Sequence, residues 1–437
     1  MRNTIEMHPP ASATLRGDDA LYRKVGWRLL PFLMFCYAAA YLDRVNIGFA
    51  KLQMSSELAF SETVYGLGAG VFFIGYFLLE VPSNLMLRRL GARVWIARIM
   101  ITWALISGAF CLVTTPMQFY VLRFLLGCAE AGFYPGIVVY LSQWYPPRRR
   151  SQALALFMIA IPVAGILGGP LSGWILQAFH GARGWSGWQW MFVLEAIPSL
   201  ALGIMTLFYL DSRPEDARWL NNDEKARIAA GLTGAAPPNL QVSHTVGQVF
   251  RDPRVLLMAV IYFCVIMGQY GLTFWMPTLI KAAGATGPLQ IGLLSAIPFA
   301  VAVVVMVCCG RSSDRSGERR WHLAVPMFAG AAGYALVAYA GGNVPLAIVG
   351  LSLAAAGAIT PGPLFWALPS SFLAGEGAAA GIAAINSFAA LAGFVSPYLI
   401  GWLRDLTQTS SIAMYVSGAV LVIGALLILR VPARMTV

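Results

Sequence analysis

Two short stretches put ionisable side chains where an apolar chain has little use for them. In Tyr41-Leu42-Asp43-Arg44-Val45-Asn46-Ile47-Gly48, Asp43 and Arg44 stand side by side within an apolar run. Further on, Arg123, Gly127, Glu130 and Tyr134 fall at i, i+4, i+7 and i+11, which is one stripe of a helix. A charged side chain at the centre of a bilayer costs roughly 2.5–3.5 kcal/mol on insertion scales. Four of them facing lipid would cost on the order of 10 kcal/mol. They are therefore expected to face a bundle interior or a watery cavity. A carboxylate placed there can take up and release a proton. An arginine stays charged, and its planar fork binds a carboxylate through two hydrogen bonds. The chemistry suggested is proton-linked handling of an anion, with Asp43 and Glu130 as proton carriers and Arg123 and Arg44 as anion holders. Two static ion pairs that lock the two helices are the plainer reading of the same residues.

Other chemistries lack their parts. His8, His180 and His244 lie in polar segments and His322 opens a span, so a relay inside the apolar region must use Asp or Glu. A Ser–His protease has no histidine there, and no Gly-Lys-Ser/Thr phosphate loop occurs. All six cysteines fall inside apolar runs without metal-ligand spacing. No enzyme activity, cofactor or metal is expected. Glu80, just before Pro82, reads as structural, and Glu195 is open.

The elements that must carry these residues follow from composition. Of 437 residues, 58% are hydrophobic and 11% charged, and mean hydropathy is +0.70. A soluble domain carries about 25% charged residues. Apolar runs of about 20 residues, each able to cross a hydrocarbon core of roughly 30 Å, fall at 27–50, 64–87, 94–115, 118–141, 152–178, 188–210, 255–280, 290–311, 322–341, 345–373, 377–402 and 412–431. These are spans 1 to 12. At 1.5 Å per residue, Asp43 lies about 24 Å into span 1.

An even number of spans puts both termini on one side. Most Lys and Arg residues flank that side, and only Lys51, Arg183, Lys281 and Arg404 flank the other. The positive-inside rule makes both termini cytoplasmic. The net charge of +11 then reflects this bias and attraction to lipid headgroups, and needs no nucleic acid. Residues 1–24 are polar, so a cytoplasmic tail is expected rather than a cleaved signal peptide. Residues 211–254 read as a cytoplasmic linker with a short surface helix. It joins a six-helix bundle over 25–210 to a second over 255–431, with a tail at 432–437.

The halves look related. A shift of 226 aligns Arg89 with Arg315, Gly91 with Gly317 and Arg93 with Arg319, and a shift of 227 aligns Pro170 with Pro397. Repeats of this size are a signature of transporter folds, whose binding site lies between the repeats. Glycines 165, 169 and 173 form a small-residue stripe that lets another backbone approach. Pro361, Pro363 and Pro369 interrupt span 10 around Trp366.

The loop Gly310-Arg311-Ser312-Ser313-Asp314-Arg315-Ser316-Gly317-Glu318-Arg319-Arg320 resembles the signature loop of the major facilitator superfamily. The copy at Asn84–Arg93 departs from it, with Arg88 where Asp is usual and Asn84 where Gly is usual. Tyr41–Ala50, Glu80-Val81-Pro82-Ser83-Asn84, Arg123 to Gly136, Tyr270–Pro277 and Ile385-Asn386-Ser387 followed by Gly393-Phe394 resemble the anion:cation symporter family within it, over nearly all of residues 25–430.

The resemblance implies an all-α membrane protein of twelve helices in two pseudo-symmetric six-helix bundles. It implies a monomer in the bacterial cytoplasmic membrane that imports a small organic anion, such as a sugar acid, tartrate or aromatic acid, together with protons. By this similarity Asp43 and Glu130 couple protons, Arg123 anchors a carboxylate and Arg44 pairs with an acid or the substrate. Tyr41, Tyr76, Gln269, Tyr270, Trp366 and Asn386 line the cavity. Arg89, Gly91, Arg93, Gly310, Asp314, Arg315 and Gly317 form the gating loops. Two rivals keep the fold: a drug/proton antiporter, whose helix-5 motif Gly165 to Gly173 partly resembles, and a nutrient receptor that binds without flux.

Overall fold

The structure is a computed structural model and describes residues 11–233, 252–372 and 376–431. His8, His244, the start of the sequence-drawn tail, the later part of the linker and residues 432–437 lie outside the described residues. Among the described residues all regular structure is helical. Twelve helices are long and apolar enough to cross a membrane: Asp18–Glu57, Glu62–Leu87, Ala92–Leu112, Pro116–Ser142, Arg149–Ala178, Gly187–Tyr209, Pro253–Ala282, Pro288–Ser316, Arg320–Tyr339, Val344–Pro369, Gly381–Thr407 and Ser411–Leu429. From here they are spans 1 to 12.

About half begin on residues suited to a helix start. Thr115 accepts from the Gln118 N–H while the Gln118 side chain reaches back, with Pro116 next in line. Ser61 accepts from Val64 N–H at the head of span 2, and Asn343 from Leu346 N–H at the head of span 10. Span 1 starts earlier than hydropathy indicates. Its helix already runs at Ala11, because hydropathy marks only the stretch a bilayer covers, while hydrogen bonding continues through polar turns. The linker holds the expected short helix, Asn222–Thr233.

The packing repeats with a period of six spans. Span 2 packs on 4 as 8 packs on 10, span 3 on 6 as 9 on 12, and span 1 on 5 as 7 on 11. The halves meet through spans 2 and 11 and, equivalently, 8 and 5. Glycine makes this junction close. A methyl on Gly66 would stand 2.3 Å from the Pro397 carbonyl oxygen, and one on Gly292 would stand 2.2 Å from that of Gly169. Gly401 against Glu62 and Gly173 against Pro288 form the next such pair, at 2.3 and 2.4 Å. The small-residue stripe of span 5 is thus where span 8 comes close. These contacts lie toward the end of the bundle opposite the termini, here the far end.

Candidate substrate site

Glu130 sits where its helix is interrupted, and Asp43 and Arg44 lie just before a local irregularity in theirs. Span 1 has a slight turn at Asn46, between Ala11–Val45 and Ile47–Glu57, where the backbone stays right-handed and the Asn46 N–H still donates to the Leu42 carbonyl at 2.9 Å. Span 4 breaks after Glu130, with Gly132 at φ 86°. Only glycine takes that conformation cheaply, and a Cβ there would meet the Ser83 hydroxyl at 2.3 Å. Non-helical backbone at membrane depth is tolerated where it is buried in protein or lines a cavity. Span 10, the repeat partner of span 4, has only mild irregularities at Thr360 and Trp366, where the backbone stays right-handed helical.

Three of the four charges converge. Arg44 forms an ion pair with Glu130, and its other terminal nitrogen lies 3.5 Å from the Tyr270 hydroxyl of span 7. Arg44 and Tyr270 are 226 residues apart, the repeat shift itself, so they are repeat mates meeting across the junction of the halves. Arg123 is 1% exposed and donates from Nε to the Gly68 carbonyl at 3.2 Å and from Nη2 to the Ala69 carbonyl at 3.1 Å. Both guanidiniums face one ring. Arg44 lies 5.3 Å and Arg123 5.0 Å from the Phe72 centroid, within cation–π range. Gly127 permits this, since a methyl there would stand 2.0 Å from the Phe72 carbonyl oxygen. Span 2 fills the space that Gly127 leaves.

Asp43 is not brought to this group. It is 2% exposed and turns into the first half, accepting from Trp103 Nε1 at 3.1 Å, Ser107 Oγ at 3.1 Å and Ser199 Oγ at 2.5 Å. Of the two static pairs considered above, Arg44–Glu130 forms, while Asp43 and Arg123 take other partners.

The remaining candidates divide. Tyr76 lies 5.6 Å under Arg44, and Tyr270 packs on Phe73 at 4.4 Å and stacks on Phe274 at 5.8 Å. Tyr41 is buried, and Gln269 and Asn386 are half-buried. Trp366 packs edge-on to Tyr262 at 5.0 Å, inside the second half. The loop residues sit at the terminal end. Gly91 (φ 84°) and Gly317 (φ 68°) make the turns, Arg319 binds Asp314 at 2.8 Å, Arg89, Arg93 and Arg315 are exposed, and Gly310 is half-exposed. Beside them, burial pushes the Glu318 carboxyl up, but the N–H of Trp321 and the His322 ring outweigh it and hold it below the ordinary carboxylate value.

Sequence reasoning missed three features. Phe72 reads as ordinary core. Trp103, Ser107 and Ser199 carry no charge to mark them, although a tryptophan N–H and two hydroxyls near one acid are what a buried carboxylate requires. Lys51 was counted as a loop cation. It is 5% exposed and pairs with Glu62, which Arg404 of the other half also approaches at 3.5 Å. Lys51 further lies 3.9 Å from the Trp275 ring.

Residues 33–397 match the profile of the Major Facilitator Superfamily. The chain belongs to that superfamily. It is 48% identical to metabolite transport protein NicT of Pseudomonas putida, over 96% of each chain. It is 46% identical to a protein of Agrobacterium vitis named as a tartrate transporter, over 94% of this chain and 91% of that one. It is 39% identical to a quinolone resistance transporter of Acinetobacter baumannii, over 96% of each. In fold it is similar to a bacterial homolog of the human lysosomal transporter Spinster, with a TM-score of 0.75 at 15% identity, covering 92% of this chain and 95% of that one. The protein is a multi-pass transporter of the bacterial inner membrane, not an enzyme.

Proposed function

We propose that the protein imports a small organic anion with protons by alternating access, its termini cytoplasmic. The observation that carries this is the junction group: two arginines on one aromatic ring, only one of them paired with an acid, at the interface of two repeats. An anion needs a fixed cation, and among the described residues Arg123 forms no ion pair, being held by two carbonyls and the Phe72 ring, so its charge is left for a carboxylate. Arg44 is engaged by Glu130. A proton on Glu130 removes that pairing and frees a second guanidinium for the same anion. Proton and anion binding then favour each other, and the loaded and empty forms differ in the affinity that drives a transition. Asp43 acts as the second proton-coupling acid from within the first half, beside the turn that carries Arg44. Tyr41, Tyr76, Gln269, Tyr270, Trp366 and Asn386 line the route, the loops of Arg89 and Asp314 pace the opening, and the monomer suffices. The relatives named for tartrate and metabolite transport support a carboxylate substrate.

The test is internal pH in lightly buffered proteoliposomes while tartrate, sugar acids and aromatic acids are added outside. Acidification with one class, lost in Glu130→Gln while exchange of that anion persists, is the expected result. Glu130→Gln that still accumulates the anion against a gradient would refute the coupling role. The quinolone-resistance relative supports a second reading, drug/proton antiport. Proton movement with lipophilic cations and none with anions would select it.

A further inference from the structure

A second acid lies in the first half, away from the junction group. Glu195 of span 6 is 2% exposed. Its Oε1 accepts from Ser172 Oγ of span 5 at 2.6 Å, while its Oε2 has no hydrogen-bond partner. The side chain of Asn46 faces this carboxyl. Asn46 is 1% exposed, and neither its Oδ1 nor its Nδ2 makes a hydrogen bond of ordinary geometry. Asp43 is the titratable group that also faces Glu195, and it is occupied by Trp103, Ser107 and Ser199. Among the described residues no Lys or Arg pairs with Glu195. One turn after Glu195 in the same helix, Ser199 binds Asp43, so the two acids share span 6 and the turn of span 1.

Uncompensated polar atoms in a buried site are costly and call for an explanation. Here either protonation state can pair two of the three unpartnered atoms. A proton on Oε2 of Glu195 can donate to Oδ1 of Asn46. When that proton leaves, the amide presents Nδ2 to the carboxylate instead. An amide is the side chain that serves either state, because it carries both a donor and an acceptor.

We propose that Glu195 is a further proton-carrying carboxyl of the transport cycle, and that Asn46 reports its protonation state to the turn of span 1 two residues beyond Arg44. The proton exchanges with water and no other bond changes. This rests on the proton-coupled reading above, but it concerns a site that the anion does not touch. The first half then holds a proton store built of Glu195, Asp43, Asn46 and Ser172, linked through span 1 to the Arg44–Glu130 pair.

The experiment is pH-difference infrared spectroscopy on the purified full-length protein in lipid, with no substrate added. Wild type is expected to show a carbonyl stretch from a buried protonated carboxyl that titrates. Glu195→Gln is expected to remove an amplitude of one carboxyl per chain. Ser172→Ala and Asn46→Leu are expected to keep the band and move it, since each removes one of its hydrogen bonds. If Glu195→Gln does not fold, the two shifts alone decide the matter. A spectrum that all three variants leave unchanged overturns the proposal. In proteoliposomes, Glu195→Gln is further expected to displace the pH profile of anion exchange, and an unmoved profile overturns the reporting role. The infrared result needs no transport, so failure of the symport reading would appear separately, as wild-type protein that fails to acidify with any anion.

Discussion

Gly66→Ala tests whether the far-end junction is what opens and closes. The added methyl would stand 2.3 Å from the Pro397 carbonyl oxygen, where ordinary contact begins at 3.4 Å. Backbone lies on both sides, so spans 2 and 11 must part by about 1 Å. Overpacking of this kind costs about 1–3 kcal/mol, which is roughly 5- to 150-fold in a conformational ratio. The clash lies between halves, so the protein can escape it by opening the far end without unfolding. Gly292→Ala, its repeat mate, meets Gly169 at 2.2 Å and is expected to act the same way. Gly357→Ala is the control. Its methyl meets Gly330 Cα at 2.3 Å, but both residues lie in the second half, so it has no conformational escape and is expected to lower thermal stability alone. The assay is the distance between spin labels at the exposed far-end positions Ser56 and Thr409 in a cysteine-free background. Gly66→Ala and Gly292→Ala lengthen it, and Gly357→Ala does not. If Gly66→Ala loses stability with no change in distance, as the control does, the junction is a static core and the reasoning fails.

Two further outcomes follow from charges at the two ends. Glu62→Ala leaves Lys51 buried without its anion, and because Glu62 is 31% exposed the loss is about 1–3 kcal/mol of far-end closure rather than the full cost of a buried pair; the Ser56–Thr409 distance should lengthen, and the double change Lys51→Met with Glu62→Gln should bring it back. At the terminal end Lys24 holds both oxygens of Glu224 at 2.8 Å, and that contact, then the Asn221 N–H, lowers the Glu224 carboxyl below its ordinary 4.5. A lowered carboxylate stabilises the clasp above its free value and loses that contribution as pH falls through its bound value. Labels at Arg23 and Ala226 should therefore report a fixed distance at pH 7 that broadens only as pH falls below the ordinary carboxylate value, while Glu224→Gln should be broad at pH 7.

Much of the architecture was legible because lipid leaves so few solutions. Every backbone group inside a bilayer needs an internal partner, so apolar runs of sufficient length become helices, and their number and order follow directly. The repeat was also legible, since Gly91 and Gly317 both carry a positive φ that the loop geometry requires. The boundaries were not. Asp18–Glu57 extends well beyond the apolar core of span 1, and nothing in hydropathy separates a helix that ends from one that continues into water.

The site was legible in its charges and obscure in its pairings. Burial cost identifies Asp43, Arg44, Arg123 and Glu130 as residues that must face inward, but it does not say which acid meets which base. Adjacent helical residues point about 100° apart, so Asp43 and Arg44 face different neighbours. That geometry sends Arg44 toward Glu130 and Tyr270, and Asp43 toward Trp103, Ser107 and Ser199. The neutral donors around Asp43 left no trace in a search for charge, and Glu195 stayed open for the same reason: its partners Ser172 and Asn46 are ordinary polar residues whose meaning appears only once three helices are packed. The separation has a consequence for coupling. In the proposed cycle a proton on Glu130 would compete directly with Arg44, whereas a proton on Asp43 or Glu195 would reach Arg44 less directly, through span 1 near Asn46. In that cycle one acid would therefore set whether the anion site is available, and the others which way the helix carrying it leans.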